Sequence, residues 1–364
     1  MSGKRFIIAG GGTGGHIFPA IAIANAIKKI APDSTFIFIG AKGKMEMEKV
    51  PLAGYEIEGL TIAGFNRSSL IKNIGLPFKL IQSFIQVSSI IKRYKPDAII
   101  GVGGYSSFPV LKYAQAKGIP TFIHEANSFA GKSNMMLGKK AALIFTATDG
   151  MEKFFPLAKI IVSGNPVRTS IVKMAVSQAE GLKHFNLSTD KKTVLVIGGS
   201  LGAKSINEAI DNNIDVFEQQ KLQLIWQTGR PYLEKAMAKC NEKATVFVSD
   251  FIVQMEYAYA AADVIISRSG AMAVSELCIT GKPVVFVPFP HAAEDHQTVN
   301  AKKLADKNAA MIVADKNAVK ELMPKVIDLI NDIDLQEKMK VNIKKMSVLN
   351  ADEIVAKEIL NYLN

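Results

Sequence analysis

Gly10-Gly11-Gly12-Thr13-Gly14-Gly15-His16 follows the apolar run Phe6-Ile7-Ile8-Ala9 and opens an Ala/Ile-rich segment around Pro19. Glycines at a strand-to-helix turn let the backbone close on an anion, which the helix's first N–H groups and its dipole attract. The pattern recurs far downstream. Thr193-Val194-Leu195-Val196-Ile197 leads into Gly198-Gly199-Ser200-Leu201-Gly202 and then Ala203-Lys204-Ser205-Ile206-Asn207. A chain with two such turns is constrained to two α/β halves of nucleotide-binding type.

The rest of the sequence supports that division. Its 364 residues exceed one ordinary core. Strands are expected at Arg5–Ala9, Thr35–Ile39, Asp97–Val102, Thr121–His124, Leu143–Thr146 and Ile160–Ser163, separated by helix-length segments. Gly164-Asn165-Pro166 is a turn signal, after which strands resume at Thr193–Ile197, Leu222–Gln227, Thr245–Ser249, Asp263–Ser267 and Pro283–Pro288. Domains are therefore expected over 1–165 and 166–349, with a helix near 350–364 returning to the first. Strand-helix alternation implies parallel sheets, which bind ligands beyond the carboxyl ends of their strands. Cys240 and Cys278 form no metal-like pair, no signal-peptide pattern opens the chain, and no run of about 18 apolar residues occurs. A cytoplasmic protein is the expectation.

Charge is divided unevenly. Residues 1–165 hold 20 Lys and Arg against 9 Asp and Glu, whereas residues 166–364 hold 24 of each. An excess confined to one half points to an anionic partner for that half. Over Gly64–Lys79, Leu70, Ile71, Ile74, Leu76 and Phe78 are interleaved with Lys72 and Lys79, a composition suited to an anionic headgroup boundary. Leu80 to Ile91 reads instead as a crossover helix packed on a sheet. No recognition motif accompanies the charge, so nucleic acid is not expected.

Gly10, Gly12 and Gly15 satisfy G-x-G-x-x-G, but the second strand ends Gly40-Ala41-Lys42, without the acid that would hold a dinucleotide ribose. This weakens an NAD(P)-dependent oxidoreductase reading. His16, at a helix N-terminus whose dipole disfavours imidazolium, is the candidate general base. Glu276, inside the helix after Ser267-Arg268-Ser269-Gly270, suits a ribose diol. The segment His291 to Gln297 lacks zinc-ligand spacing, and Asp332-Ile333-Asp334 stands away from any strand end, so no metal or other cofactor is expected.

Gly10 to Pro19, Gly103-Gly104-Tyr105, His124-Glu125-Ala126-Asn127, Gly164 to Arg168, Gly198 to Asn207, Ser267 to Glu276 and Pro288 to Gln297 together resemble the peptidoglycan N-acetylglucosaminyltransferases of glycosyltransferase family 28. The resemblance implies a GT-B fold, in which two Rossmann-like domains with parallel sheets face an interdomain cleft. It further implies transfer of N-acetylglucosamine from UDP-N-acetylglucosamine to lipid I, giving lipid II, by a protein resting on the cytoplasmic face of the membrane, with other cell-wall synthesis proteins as possible partners. Donor contacts implied by motif are Thr13, Gly14, Gly15, Asn127, Arg168, Ser200, Ile252, Ala271, Met272, Ala273, Val274, Ser275, Glu276 and Gln297. His16 is implied as the base, with His124 and Glu125 as alternatives. Ala126 and Ala273 depart from the glutamine and threonine usual in the family. A UDP-N-acetylglucosamine epimerase of related fold, or a non-turning-over UDP-sugar sensor, would share the donor features.

Overall fold

The structure, a computed structural model, describes residues 3–64, 75–199, 201–240 and 243–364. Two compact units are present: residues up to Arg168 together with Asn350–Asn364, and Thr169–Leu349. Both are α/β with an all-parallel sheet.

The first unit contains β1 (Arg5–Ala9), β2 (Thr35–Ala41), β3 (Glu56–Leu60), β4 (Ala98–Gly101), β5 (Thr121–Glu125), β6 (Leu143–Thr146) and β7 (Ile160–Val162). They are ordered β3-β2-β1-β4-β5-β6-β7. Buried on both faces, such strands read as continuous apolar runs, which is why most were legible. In β1, Phe6 and Ile8 pack against the Gly14–Ile30 helix through Ile17, Ile23 and Ile27, while Ile7 and Ala9 face Val87, Ile90 and Val110 on the other side. The Ala351–Leu363 helix closes the first of these layers, with Val355, Ala356, Ile359 and Leu360 all buried in it. Phe122 meets Tyr362 edge to face at 5.4 Å.

The second unit contains β8 (Thr193–Ile197), β9 (Gln223–Gln227), β10 (Val246–Ser249), β11 (Val264–Ser267), β12 (Val284–Phe286) and β13 (Met311–Ile312), ordered β10-β9-β8-β11-β12-β13. Trp226 is fully buried in its core, and its indole N–H is satisfied by Asn207 Oδ1 at 3.0 Å.

Two strands escape the sequence reading, and both are sheet edges. β3 carries Glu56, Glu58 and Gly59, residues that strands disfavour, and β13 is two residues long. The Leu76–Tyr94 helix also departs from expectation. It buries Ser83, Val87, Ile90 and Ile91, yet leaves Phe78, Leu80, Ile81 and Ile85 exposed. The apolar surface thus continues past Lys79 to Ile85, because one helix face packs on the sheet and another does not. Leu70, Ile71, Lys72, Ile74 and Ser200 lie outside the described residues.

Candidate active site

In each sheet the strand order reverses beside the strand that carries the glycine turn. In the first unit this occurs between β1 and β4, so Gly10–His16 and Gly103–Tyr105 leave adjacent strand ends on the same edge. In the second it occurs between β8 and β11, which brings together the segments that follow them, Gly198–Gly199 with Leu201–Asn207 and Ser267–Glu276. These are the topological switch points where open α/β sheets form ligand crevices.

On the first unit, Thr13 is the extended N-cap of the Gly14–Ile30 helix, and its side chain makes no capping hydrogen bond. His16 Nδ1 lies 3.0 Å from the Gly11 carbonyl and 3.5 Å from Thr13 Oγ1. A carbonyl can only accept, so the Gly11 contact is made by a protonated Nδ1. The ring packs on Gly103, which has φ +96°; a Cβ there would stand 2.9 Å from His16 Nε2, closer than atoms tolerate. His124, at the end of β5, is 1 % exposed, and its Nε2 donates to the Gly164 carbonyl at 3.3 Å. Burial pushes its imidazole down to about 4, with Gly164 opposing and nearby His16 adding to the shift.

Glu125 is engaged from four sides. Asn127 N and Nδ2 donate to Oε1 at 3.1 and 3.3 Å, and Gly131 N and Asn134 Nδ2 to Oε2 at 3.1 and 2.8 Å. It holds the loop after β5 in shape, and through it Asn127. Ala126, where the family commonly has glutamine, accepts from Asn165 Nδ2 through its carbonyl at 3.0 Å. The Arg168 guanidinium lies over the Phe18 ring, 5.1 Å from its centre.

On the second unit the glycine turn approaches its neighbours closely. A Cβ on Gly202 (φ +74°) would fall 1.9 Å from the Thr228 carbonyl oxygen, so only glycine fits. Gln227, the last residue of β9, donates through Nε2 to the Gly199 carbonyl at 3.1 Å and accepts through Oε1 from Ile252 N at 2.9 Å. Sequence reasoning missed this clip, whose signal was a polar residue at a strand's carboxyl end. The Ile252 N–H is thus satisfied within the protein.

The Ala271–Thr280 helix begins at an extended Gly270, with Ala271, Met272, Ala273, Val274 and Ser275 half-buried along its first turn and Glu276 buried behind them. Tyr259 Oη donates to Glu276 Oε2 at 2.8 Å. Gln297 accepts from Phe289 N at 3.0 Å through Oε1, and its carbonyl accepts from Ser269 Oγ at 2.8 Å. Arg268 ties three loops together. It donates to the Val287 and Pro288 carbonyls at 2.9 and 3.1 Å, to Asp315 Oδ1 at 2.5 Å and to Ser205 Oγ at 3.1 Å. Among the described residues no three His, Cys, Asp or Glu side chains group as a metal site. Thus Thr13, Gly14, Gly15, Asn127 and Arg168 stand on the first unit, and Ile252, Ala271 to Glu276 and Gln297 on the second.

A sequence model of the glycosyltransferase family 28 N-terminal domain matches residues 6–146, and one of the C-terminal domain matches residues 193–354. This chain belongs to glycosyltransferase family 28. Within family 28 it is 47 % identical, over the whole of both chains, to the UDP-N-acetylglucosamine–N-acetylmuramyl-(pentapeptide) pyrophosphoryl-undecaprenol N-acetylglucosamine transferase of Parabacteroides distasonis. The protein of that name from Bacteroides thetaiotaomicron is 48 % identical, with 98 % of this chain and 97 % of the other covered. Among solved structures, MurG from Acinetobacter baumannii superposes with a TM-score of 0.78 at 30 % identity, covering 98 % of this chain and 99 % of that one. UDP-N-acetylglucosamine 2-epimerase from Neisseria meningitidis shares the fold, with a TM-score of 0.68 at 16 % identity and 98 % and 99 % coverage. The two-domain α/β architecture expected of family 28 is thus the one present.

Proposed function

We propose that this chain transfers N-acetylglucosamine from UDP-N-acetylglucosamine to the C4 hydroxyl of N-acetylmuramic acid in undecaprenyl-pyrophosphoryl-N-acetylmuramyl-pentapeptide, producing lipid II and UDP. The observation that carries the reading is the end-to-end match to transferases named for this reaction.

The proposed chemistry is a single displacement. His16 Nε2 accepts the proton of the acceptor hydroxyl as that oxygen forms a bond to the anomeric carbon. The bond from that carbon to the UDP phosphate oxygen breaks in the same step, its electron pair leaving with UDP. Attack opposite the leaving group inverts the centre and gives a β1,4 linkage. His124 is a poorer base, being buried and already donating to Gly164; Glu125 is occupied by its loop. On the second unit, Glu276 accepts from the ribose hydroxyls, the Ile252 carbonyl meets the uracil N3–H, and Gln297 and the first turn from Ala271 to Ser275 line the sugar. The helix N-terminus after the second glycine turn stabilises the diphosphate and its developing charge.

The first unit rests on the anionic cytoplasmic face of the inner membrane. The exposed Phe78, Leu80, Ile81 and Ile85 beside Lys79 support this seat, as does the charge excess of residues 1–165. Among the described residues no helix is long and apolar enough to cross a membrane.

UDP release from UDP-N-acetylglucosamine, measured in EDTA with and without a lipid I analogue, tests the proposal. Release only with acceptor, yielding a β1,4 disaccharide-lipid, is expected. Sugar epimerisation without acceptor would replace the transferase reading, and release that stops in EDTA would overturn metal independence.

A further inference from the structure

Glu46 is a buried carboxylate that the transfer mechanism leaves unused. It opens the short Glu46–Leu52 helix after β2 and is 1 % exposed. Its side chain passes between two glycines. A Cβ on Gly11 would stand 2.3 Å from Glu46 Oε1, and one on Gly40 2.4 Å from its Cγ. There Oε2 accepts from Gly12 N and Oε1 from Ala41 N, both at 2.9 Å. The carboxylate thus joins the end of β2 to the first glycine turn and takes up a loop N–H that a bound dinucleotide would otherwise claim. The acid missing at the second strand's end arrives instead from the next helix, aimed at the loop.

Gly11 links this anchor to the reaction. Its carbonyl receives the Nδ1 proton of His16, and the Gly11–Gly12 peptide beside that carbonyl is the one whose N–H Glu46 holds. Rotating this peptide would turn the carbonyl away from the imidazole and remove the preference for a proton on Nδ1. Gly104 packs on the same segment, since a Cβ there would lie 2.5 Å from the Gly11 oxygen. Tyr105 borders it, its phenol held above the usual range by burial and then by the charge of Glu46.

We propose that Glu46 is a positioning residue that, through the Gly11–Gly12 peptide, fixes the orientation and tautomer of His16. The inference rests on the reading of His16 as the base, and its primary test is independent of turnover. In protein labelled with ¹⁵N-histidine, with the His16 signals assigned by their loss in H16Q, the wild type is expected to show Nδ1 protonated and Nε2 bare. In E46Q one acceptor oxygen becomes an amide that confronts a backbone N–H, so the His16 signals should move toward the Nε2-protonated form. The accompanying kcat should fall about 10- to 100-fold while the KM for UDP-N-acetylglucosamine stays within about twofold. E46D, shorter but still charged, gives an intermediate result and serves if E46Q does not fold. An unchanged His16 tautomer in a folded E46Q or E46D, or a wild type protonated at Nε2, overturns the proposal. Activity retained in H16Q would overturn the base assignment while leaving the Glu46–His16 coupling to the spectra.

Discussion

Tyr259 and Glu276 are 17 residues apart and come from different helices, yet the tyrosine hydroxyl donates to Glu276 Oε2 at 2.8 Å in a buried pair. The bond holds one carboxylate oxygen and so directs the other. If Glu276 grips the donor ribose, Y259F should raise the KM for UDP-N-acetylglucosamine about tenfold, the equivalent of roughly 1.4 kcal/mol. The kcat should barely change. Initial rates across donor concentrations check this, and an unchanged donor KM would remove Glu276 from the ribose.

Arg268 and Asp315 form an ion pair with side chains only 11 % and 21 % exposed, and Ser205 Oγ contacts both. D315N leaves a largely buried guanidinium without its counter-charge, an expected cost of about 3 kcal/mol. Thermal unfolding should shift down, and the donor KM should rise if the helix that Ser205 opens with Lys204, after the second glycine turn, receives the diphosphate as proposed. A variant that melts earlier with donor KM intact would confine the pair to stability.

His124 makes the first unit sensitive to acid. Burial holds its folded pKa at about 4, below the ordinary imidazole value of 6.5, so the unfolded chain binds the extra proton first as pH falls. Stability contributed by the neutral ring is complete above about pH 6.5 and is lost progressively toward pH 4, by about 3 kcal/mol in total. Denaturant melts at pH 7, 5.5 and 4.5 should show a shallower decline in H124Q than in wild type. Parallel declines would mean that carboxylates dominate.

Lys79 sits among the exposed apolar residues Phe78, Leu80, Ile81 and Ile85. The double substitution F78S and I85S should reduce sedimentation with vesicles containing anionic lipid at least about fivefold, since each side chain contributes about 1.5–3 kcal/mol when buried. Turnover of a water-soluble acceptor analogue should be unaffected. Equal loss of both would show instead that the helix supports the fold.

The C-terminal helix should behave as core. Ile359 is fully buried against the Gly14–Ile30 helix layer, and I359A should destabilise the first unit by about 2–5 kcal/mol. K29A, which breaks the exposed Lys29–Glu353 pair, should leave the denaturation midpoint nearly unchanged. Chemical denaturation of the two variants separates the contributions.

Much of this protein was written locally. Parallel strands buried on both faces are continuous apolar runs, and glycine turns mark where they feed helices, so the two α/β halves and the glycine loops with His16 and Glu276 could be read residue by residue. What escaped depends on residues distant in the chain. The edge strand Glu56–Leu60 is a strand because β2 pairs with it, against the preference of its glutamates and glycine. Glu46, Gln227 and Tyr259 carry no motif; each matters because folding brings it to a partner 34, 25 or 17 residues away. The Gly11 contact of His16 and the loop-holding role of Glu125 likewise depend on which donors and acceptors converge on them. Local periodicity encodes which elements form, whereas hydrogen-bond partners across elements exist only once those elements have packed.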